Sequence, residues 1–196
     1  PRSLAPFDVM VVATGAVHED GLADTADGLG GGRDKSQRLT IMRDSRIGSY
    51  GASALILSLL LRLGALQALL AAAGPLRAAL ALIAAQAASR AVGILLLRAL
   101  PPARADGASA TMGQPSPKAA ASCALMAALV VVVILVPSFG VGAAFAGLIA
   151  PLLVLAIMMR LSDRLIGGQT GDVAGATQQL AEIAFLLGVL IFAGAH

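Results

Sequence analysis

The chain has no tryptophan, one tyrosine, one cysteine and two histidines, and aromatic residues make up 3% of its 196 positions. With so few rings to stack on bases, a net charge of +3 does not describe a nucleic-acid surface. A lone cysteine, Cys123, can form neither an intrachain disulfide nor a Cys-rich metal centre, and in its apolar run it reads as a small core residue. Charge is scarce too. Asp, Glu, Lys and Arg make up 13% of the chain, against about 25% in an ordinary soluble domain. From Ala119 to Met159 there are 41 consecutive residues with none of them. These absences exclude a soluble globule. What abounds is apolar: 58% of the residues are hydrophobic, and the uncharged stretch alone has room for two membrane spans of about 20 residues each.

Apolar runs set against turn signals predict an all-α, polytopic membrane protein of about six helices, at 7–28, 51–73, 76–99, 119–137, 140–160 and 173–195. The breaks carry the Gly and Pro expected where helices stop: Ala73-Gly74-Pro75, the segment 101–118, Pro137-Ser138-Phe139-Gly140, and the segment 162–172. Phe7 to Val17 is shorter than a span and lacks a signal peptide's charged start and cleavage site. It reads as the end of a helix whose beginning is missing. If helices alternate in direction, segments 29–50, 98–118 and 160–172 share one face. Ten of the 14 basic residues lie there, which the positive-inside rule makes cytoplasmic. Nine of the 11 acids lie on that face as well, counting Glu19, Asp20, Asp24 and Asp27 at the polar end of the first helix. Polar chemistry gathered on one side suits an enzyme at the membrane surface better than a channel, which needs polar groups through its depth.

The most informative stretch is His18-Glu19-Asp20-Gly21-Leu22-Ala23-Asp24-Thr25-Ala26-Asp27-Gly28, continuing to Gly30-Gly31-Gly32-Arg33-Asp34. On a helix Asp20, Asp24 and Asp27 stand at i, i+4 and i+7, within about 60° of one face. Such crowding of like charge is destabilising, which points to a cation. Carboxylates without a His or Cys cluster favour a hard ion, and Mg²⁺ takes one or two carboxylates plus water and substrate phosphate. The chemistry implied is phosphoryl transfer. Gly28, Gly30, Gly31 and Gly32 would let the backbone approach an anion. Arg33, Lys35, Arg38, Arg43 and Arg46 follow and suit phosphate oxygens. The acids also fit a solvated helix end, and the basic run fits topogenic or lipid-headgroup contacts.

A second glycine-rich island, Gly167-Gly168-Gln169-Thr170-Gly171-Asp172, leads into the last helix, with Thr170 or Asp172 a natural N-cap. Gln179 and Glu182 share the face of Asp172. Glu182 lies deep in an apolar span, where an ionisable residue marks a site or pairs with another charge. Arg62 and Arg90 are the partners in sequence, and both are read as structural or snorkelling residues rather than substrate contacts.

These blocks resemble the adenosylcobinamide-GDP ribazoletransferases, also called cobalamin synthases. The resemblance rests on the stretch from His18 to Asp34, on Ile41-Met42-Arg43-Asp44-Ser45-Arg46-Ile47-Gly48-Ser49-Tyr50-Gly51, on Pro102-Ala103-Arg104-Ala105-Asp106-Gly107, and on Gly168-Gln169-Thr170-Gly171-Asp172 with Gln178 and Glu182. It departs at the front, where family members carry further helices. The chain is accordingly taken as one transmembrane helical domain, 1–196, without those N-terminal helices.

The resemblance implies a multi-pass enzyme of the bacterial inner membrane with its active site facing the cytoplasm. The donor is adenosylcobinamide-GDP, the acceptor α-ribazole or its 5′-phosphate, the metal Mg²⁺ and the leaving group GMP. Within it, Asp20, Asp24 and Asp27 are expected to bind metal, with Glu19 or Asp44 as a further ligand. Arg33, Arg43, Arg46, Gly31 and Gly32 are expected to hold phosphate. Arg104, Asp106, Thr170, Asp172, Gln178 and Glu182 are expected to contact substrate. The proton acceptor is His18 or an acid; helical phase sets His18 nearly opposite the Asp trio and so favours a carboxylate. Partners are the two substrates and the lipid bilayer, not nucleic acid, and the sequence leaves a homo-oligomer open.

Two other readings compete. Asp24-x-x-Asp27-Gly28 resembles the start of the CDP-alcohol phosphotransferase signature, but the remainder of that signature is absent; release of CMP rather than GMP would favour it. A small transporter would use Glu182, Arg62 and Arg90 along its path, and would need polar positions in the 119–159 spans, which offer only scattered Ser and Gly.

Overall fold

A computed structural model describes residues 17–106 and 113–194, and every regular element among them is a helix. In chain order these are α1 (Val17–Gly31), α2 (Lys35–Ile41), α3 (Ser49–Ala99), α4 (Pro117–Ile166) and α5 (Gly171–Leu190). The expected run over 7–16 lies outside the described residues.

Three helices, α3, α4 and α5, are long and apolar enough to cross a membrane. The 51 residues of α3 would extend about 76 Å if straight, far more than the ~30 Å hydrocarbon core. They do not run straight. Gly74 takes φ 81° and ψ 171°, a region essentially reserved for glycine. Pro75 restarts the helix where a missing N–H costs nothing. Arg62 and Gln86, equally far in sequence from Gly74, line one cavity, so the helix is a hairpin. α4 repeats the device at Gly140, with φ 85° and ψ 172°, and brings Val131 and Leu148 to one cavity.

Two hairpins and α5 give five arms of crossing length, matching the expected spans at 51–73, 76–99, 119–137, 140–160 and 173–195. The sixth expected helix is represented by α1. Its 15 described residues are its polar end and are not among the crossing helices.

Burial shows how the arms are arranged. The most apolar window of α5 is 72% buried, against 28% in α3 and 22% in α4, so α5 is the central pillar and the hairpins wrap it. Leu57, Leu60, Leu125, Val133 and Leu153 point outward, as a lipid-facing surface requires. Inside, small residues let the arms close up: Ala78, Ala81, Ala85 and Ala143 pack with Leu69, Leu135, Phe139 and Phe185 around the hairpin turns. A second cluster, with Leu22, Met42, Leu96, Met158, Ile166 and Val173, lies under the opposite, polar end.

At that polar end the three loops expected on one face do meet. Pro101 to Ala103 and Gln169 form a short parallel bridge, with Ala103 N donating to Gln169 O and Gln169 N to Pro101 O, each at 2.8 Å. Arg38 Nη1 donates to Leu165 O at 3.2 Å, Arg43 pairs with Asp106, and Arg104 pairs with Asp172.

Candidate functional site

The site grows from the acidic face of α1. Asp27 is buried, and its carboxylate reaches the start of α3. Oδ2 accepts from Gly48 N at 2.7 Å and Oδ1 from Gly51 N at 2.8 Å. The first turn of any helix has N–H groups without intrahelical partners, and Gly48 brings no side-chain cap of its own. Asp27 caps α3 from a distance, fixing the two helices together.

Asp20 and Asp24 face the start of α5. The carbonyl oxygen and Cα of Asp172 come to 2.9 and 3.1 Å from where a β-carbon on Gly21 would stand, so a side chain there would collide with backbone. Arg104 Nη2 lies 3.5 Å from Asp172 Oδ2, leaving several acids facing one basic residue. Burial first, then Asp20, Asp172 and Asp27, push the Asp24 carboxyl up to about 6, with Arg104 pulling the other way.

Among the described residues, no three His, Cys, Asp or Glu side chains converge into a metal cage. The donor set fits a looser arrangement: oxygen ligands only, with an excess of negative charge that a hard cation would relieve. Mg²⁺ needs one or two such carboxylates, its remaining positions going to water and phosphate.

Thr170 turns out to be the N-cap of α5, its hydroxyl accepting from Val173 N at 3.2 Å. That leaves Asp172 for Arg104. The basic residues divide. Arg43 and Asp106 form an exposed pair in which Arg43 holds the Asp106 carboxyl below its ordinary range. Arg46 Nη2 donates to Asp44 Oδ2 at 2.6 Å. That side-chain bond, helped by the Arg46 backbone N–H, holds the Asp44 carboxyl down at about 2. Arg33 is exposed at the end of α1.

The glycine run corrects the sequence reading. Gly28, Gly30 and Gly31 lie inside α1 rather than in a loop, and the Gly32 N–H is already spent on Gly28 O at 3.1 Å. A helix C-terminus presents carbonyls and a negative dipole, the wrong polarity for phosphate. Gly31 and Gly32 therefore do not form an anion cradle. Bare backbone at Gly28 and Gly32 instead lets Met42 and Arg38 close on α1.

Three expected site residues lie elsewhere. Glu19 leaves the Asp trio and turns inward, where Gln179 Nε2 donates to its Oε1 at 2.9 Å and Arg62 Nη1 lies 3.3 Å away. Arg62, 3% exposed, also donates to Gln179 Oε1 at 2.6 Å and stands 3.4 Å from Glu182 Oε1. Glu182 and Gln178 line this interior polar cavity with His18 and Arg90. The cluster ties α1, α3 and α5 together inside the bundle, which accounts for Arg62 as a pairing residue. His18 lines this interior cavity, which none of the Asp trio lines.

Sequence reasoning quoted Tyr50 but gave it no role; its ring lies against Gly30. Its signal was available: it is the chain's one tyrosine, close after Arg46.

Comparison with known proteins gives a consistent result. The sequence model of a family described as cobalamin-5-phosphate synthase matches residues 4–190. A curated relative from Xanthobacter autotrophicus, named adenosylcobinamide-GDP ribazoletransferase, is 72% identical over 98% of this chain and 72% of its own length. Its namesake from Azorhizobium caulinodans is 64% identical over 95% of this chain and 70% of its own length. One from Sinorhizobium is 50% identical over 91% and 68%. No solved structure matches the chain.

Proposed function

The chain belongs to the cobalamin-5-phosphate synthase family, and we propose that its polar face is where the family's reaction runs. It is a transferase that joins adenosylcobinamide-GDP to α-ribazole, or to α-ribazole 5′-phosphate, and releases GMP. The CDP-alcohol and transporter readings are not favoured, since the relatives carry the ribazoletransferase name. The observation that carries the placement is the gathering of Asp20, Asp24 and Asp172, with Arg104 opposite, where three distant segments of the chain meet.

The acceptor ribose hydroxyl attacks the phosphorus nearest the cobinamide. A new P–O bond forms, the bond to the bridging oxygen breaks, and GMP leaves with that oxygen. Little covalent work falls to the protein, so catalysis is positioning and charge stabilisation. Asp20 and Asp24 would hold Mg²⁺, which supplies neutralisation of the phosphate oxygens when bound. Asp27 fixes α1 against α3 so that these carboxylates keep their places. Arg104, with both Nε and Nη1 buried and without partners among the described residues, is set to receive a phosphate oxygen, and Arg43 and Arg46 stand at the rim. A carboxylate of the cluster takes the hydroxyl proton; His18 is turned away. The positive-inside pattern of the same loops supports a cytoplasmic orientation for this face, with the inner membrane as its location.

Arg104→Met tests the placement. It is expected to cut transfer about 10²- to 10³-fold, as loss of an electrostatic stabiliser does. Unchanged transfer would remove the site from this face.

A further inference from the structure

The placement of the phosphates leaves the donor's guanine base unassigned, and the structure offers it a position. The end of α1, the loop before α3 and the first turn of α3 enclose an open cavity of about 460 Å³, lined among others by Asp27, Ile41, Asp44, Arg46 and Tyr50. That size lies within the ~300–1,000 Å³ of small-molecule sites. It has an aromatic wall: Tyr50 Cγ, Cδ1 and Cδ2 lie 3.0 to 3.2 Å from where a β-carbon on Gly30 would stand. The ring is thus backed by helix backbone while 57% of the residue remains exposed. At the rim, Arg46 Nε donates to Asp44 Oδ1 at 2.9 Å and Arg46 Nη2 to Asp44 Oδ2 at 2.6 Å. With Arg46 Nε also reaching Oδ2 at 3.2 Å and Arg46 N reaching Oδ1 at 3.1 Å, these bonds hold the two side chains next to one another, and a base takes the Asp44 oxygens over from Arg46. Arg46 is 87% exposed and Asp44 37% at their side chains, so both edges can be approached.

Resting on the polar face as the transfer site, we propose that this cavity holds the guanine base of the nucleotide that leaves. Tyr50 stacks on the ring, Asp44 accepts from N1–H and the 2-amino group, and Arg46 donates to O6. Guanine presents an acceptor followed by two donors along that edge. Adenine presents a donor amino group where guanine has O6, and would set it against the guanidinium. Hypoxanthine keeps O6 and N1–H and lacks only the amino group. Asp27 lines the same cavity, placing the acidic face of α1 beside the base site, where the diphosphate must lie. Asp44 serves the base in this arrangement rather than the metal.

The test is equilibrium binding of GMP, IMP and AMP to the full chain in nanodiscs with Mg²⁺, with transfer assayed on the same samples. The unaltered chain is expected to bind GMP about ten- to a hundredfold more tightly than AMP, the range of one good bidentate base contact, with IMP between. Asp44→Asn and Arg46→Gln should each bring GMP and AMP to within about threefold of one another. Tyr50→Leu should weaken all three nucleotides alike and leave their ratio unchanged, which separates stacking from edge reading and from misfolding. A GMP preference that survives both Asp44→Asn and Arg46→Gln overturns the base site alone if the unaltered chain makes product. Equal binding of GMP and AMP by an active unaltered chain overturns it too. Absence of both binding and product overturns the placement of the reaction and the base site with it.

Discussion

Asp24 and Asp27 sit three residues apart on one helix face, yet they do different things, and substitution should separate them. Asp24 stands among acids, and no backbone donor among the described residues holds it. Asp24→Asn is expected to lower transfer about 10²-fold or more, with the unfolding midpoint unchanged or raised because like-charge crowding is relieved. Asp27 caps α3 through two backbone N–H groups. Asp27→Asn keeps one acceptor, and should cost about 1 to 2 kcal/mol of stability as lost caps do, as well as activity. Thermal unfolding in detergent beside the transfer assay reads both. The spacing of the trio was legible because helical phase depends only on sequence. The desertion of Glu19 was not, because it is decided by Arg62 and Gln179, which the chain brings in from remote positions. Arg62→Met should cost about 3 to 5 kcal/mol, since it strands Glu19 and Glu182 inside the bundle. Replacing both glutamates by Gln in that background should recover part of the loss.

At the scale of elements, the two hairpin turns are the features most exposed to a single change. Gly74 has open space around a would-be β-carbon, so strain there comes from backbone alone. Gly74→Ala is expected to destabilise the bundle by about 1 to 3 kcal/mol while leaving the catalytic constant of the folded fraction unchanged. A change in that constant with unaltered stability would contradict the role given to the turn. These helices were readable because length and apolarity decide a membrane span, and Gly-Pro punctuation marks its ends. The glycine run of α1 was misread for the opposite reason. A flexible anion loop and a helix stripped for close packing look alike in one dimension, and only the arrival of Met42 and Arg38 distinguishes them. Gly28→Val should therefore act by pushing the α2 region off α1, weakening donor and acceptor binding together.

The whole molecule is polarised. Its lipid-facing arms carry Leu and Val, a buried charged cluster cross-ties its interior, and its loops meet at one end beside the acidic face of α1. Alternation of helices predicted which loops share that end, and the Pro102–Gln169 bridge and the Arg104–Asp172 pair bear this out. Which way the end points is a claim about the cell. Single cysteines introduced at Ser116 and at Leu76, with Cys123 replaced by Ser, should be labelled from the cytoplasmic and the opposite side respectively; the reverse pattern would refute the orientation.

The central claim is that this face performs a metal-assisted transfer releasing GMP. The most direct measurement follows GMP and corrinoid product together in membranes holding the chain, adenosylcobinamide-GDP, α-ribazole and Mg²⁺, with EDTA added in a parallel sample. The account predicts equimolar GMP and product, both lost with EDTA and restored by added Mg²⁺. Product formed at the same rate in EDTA, or GMP released without any corrinoid product, would contradict it.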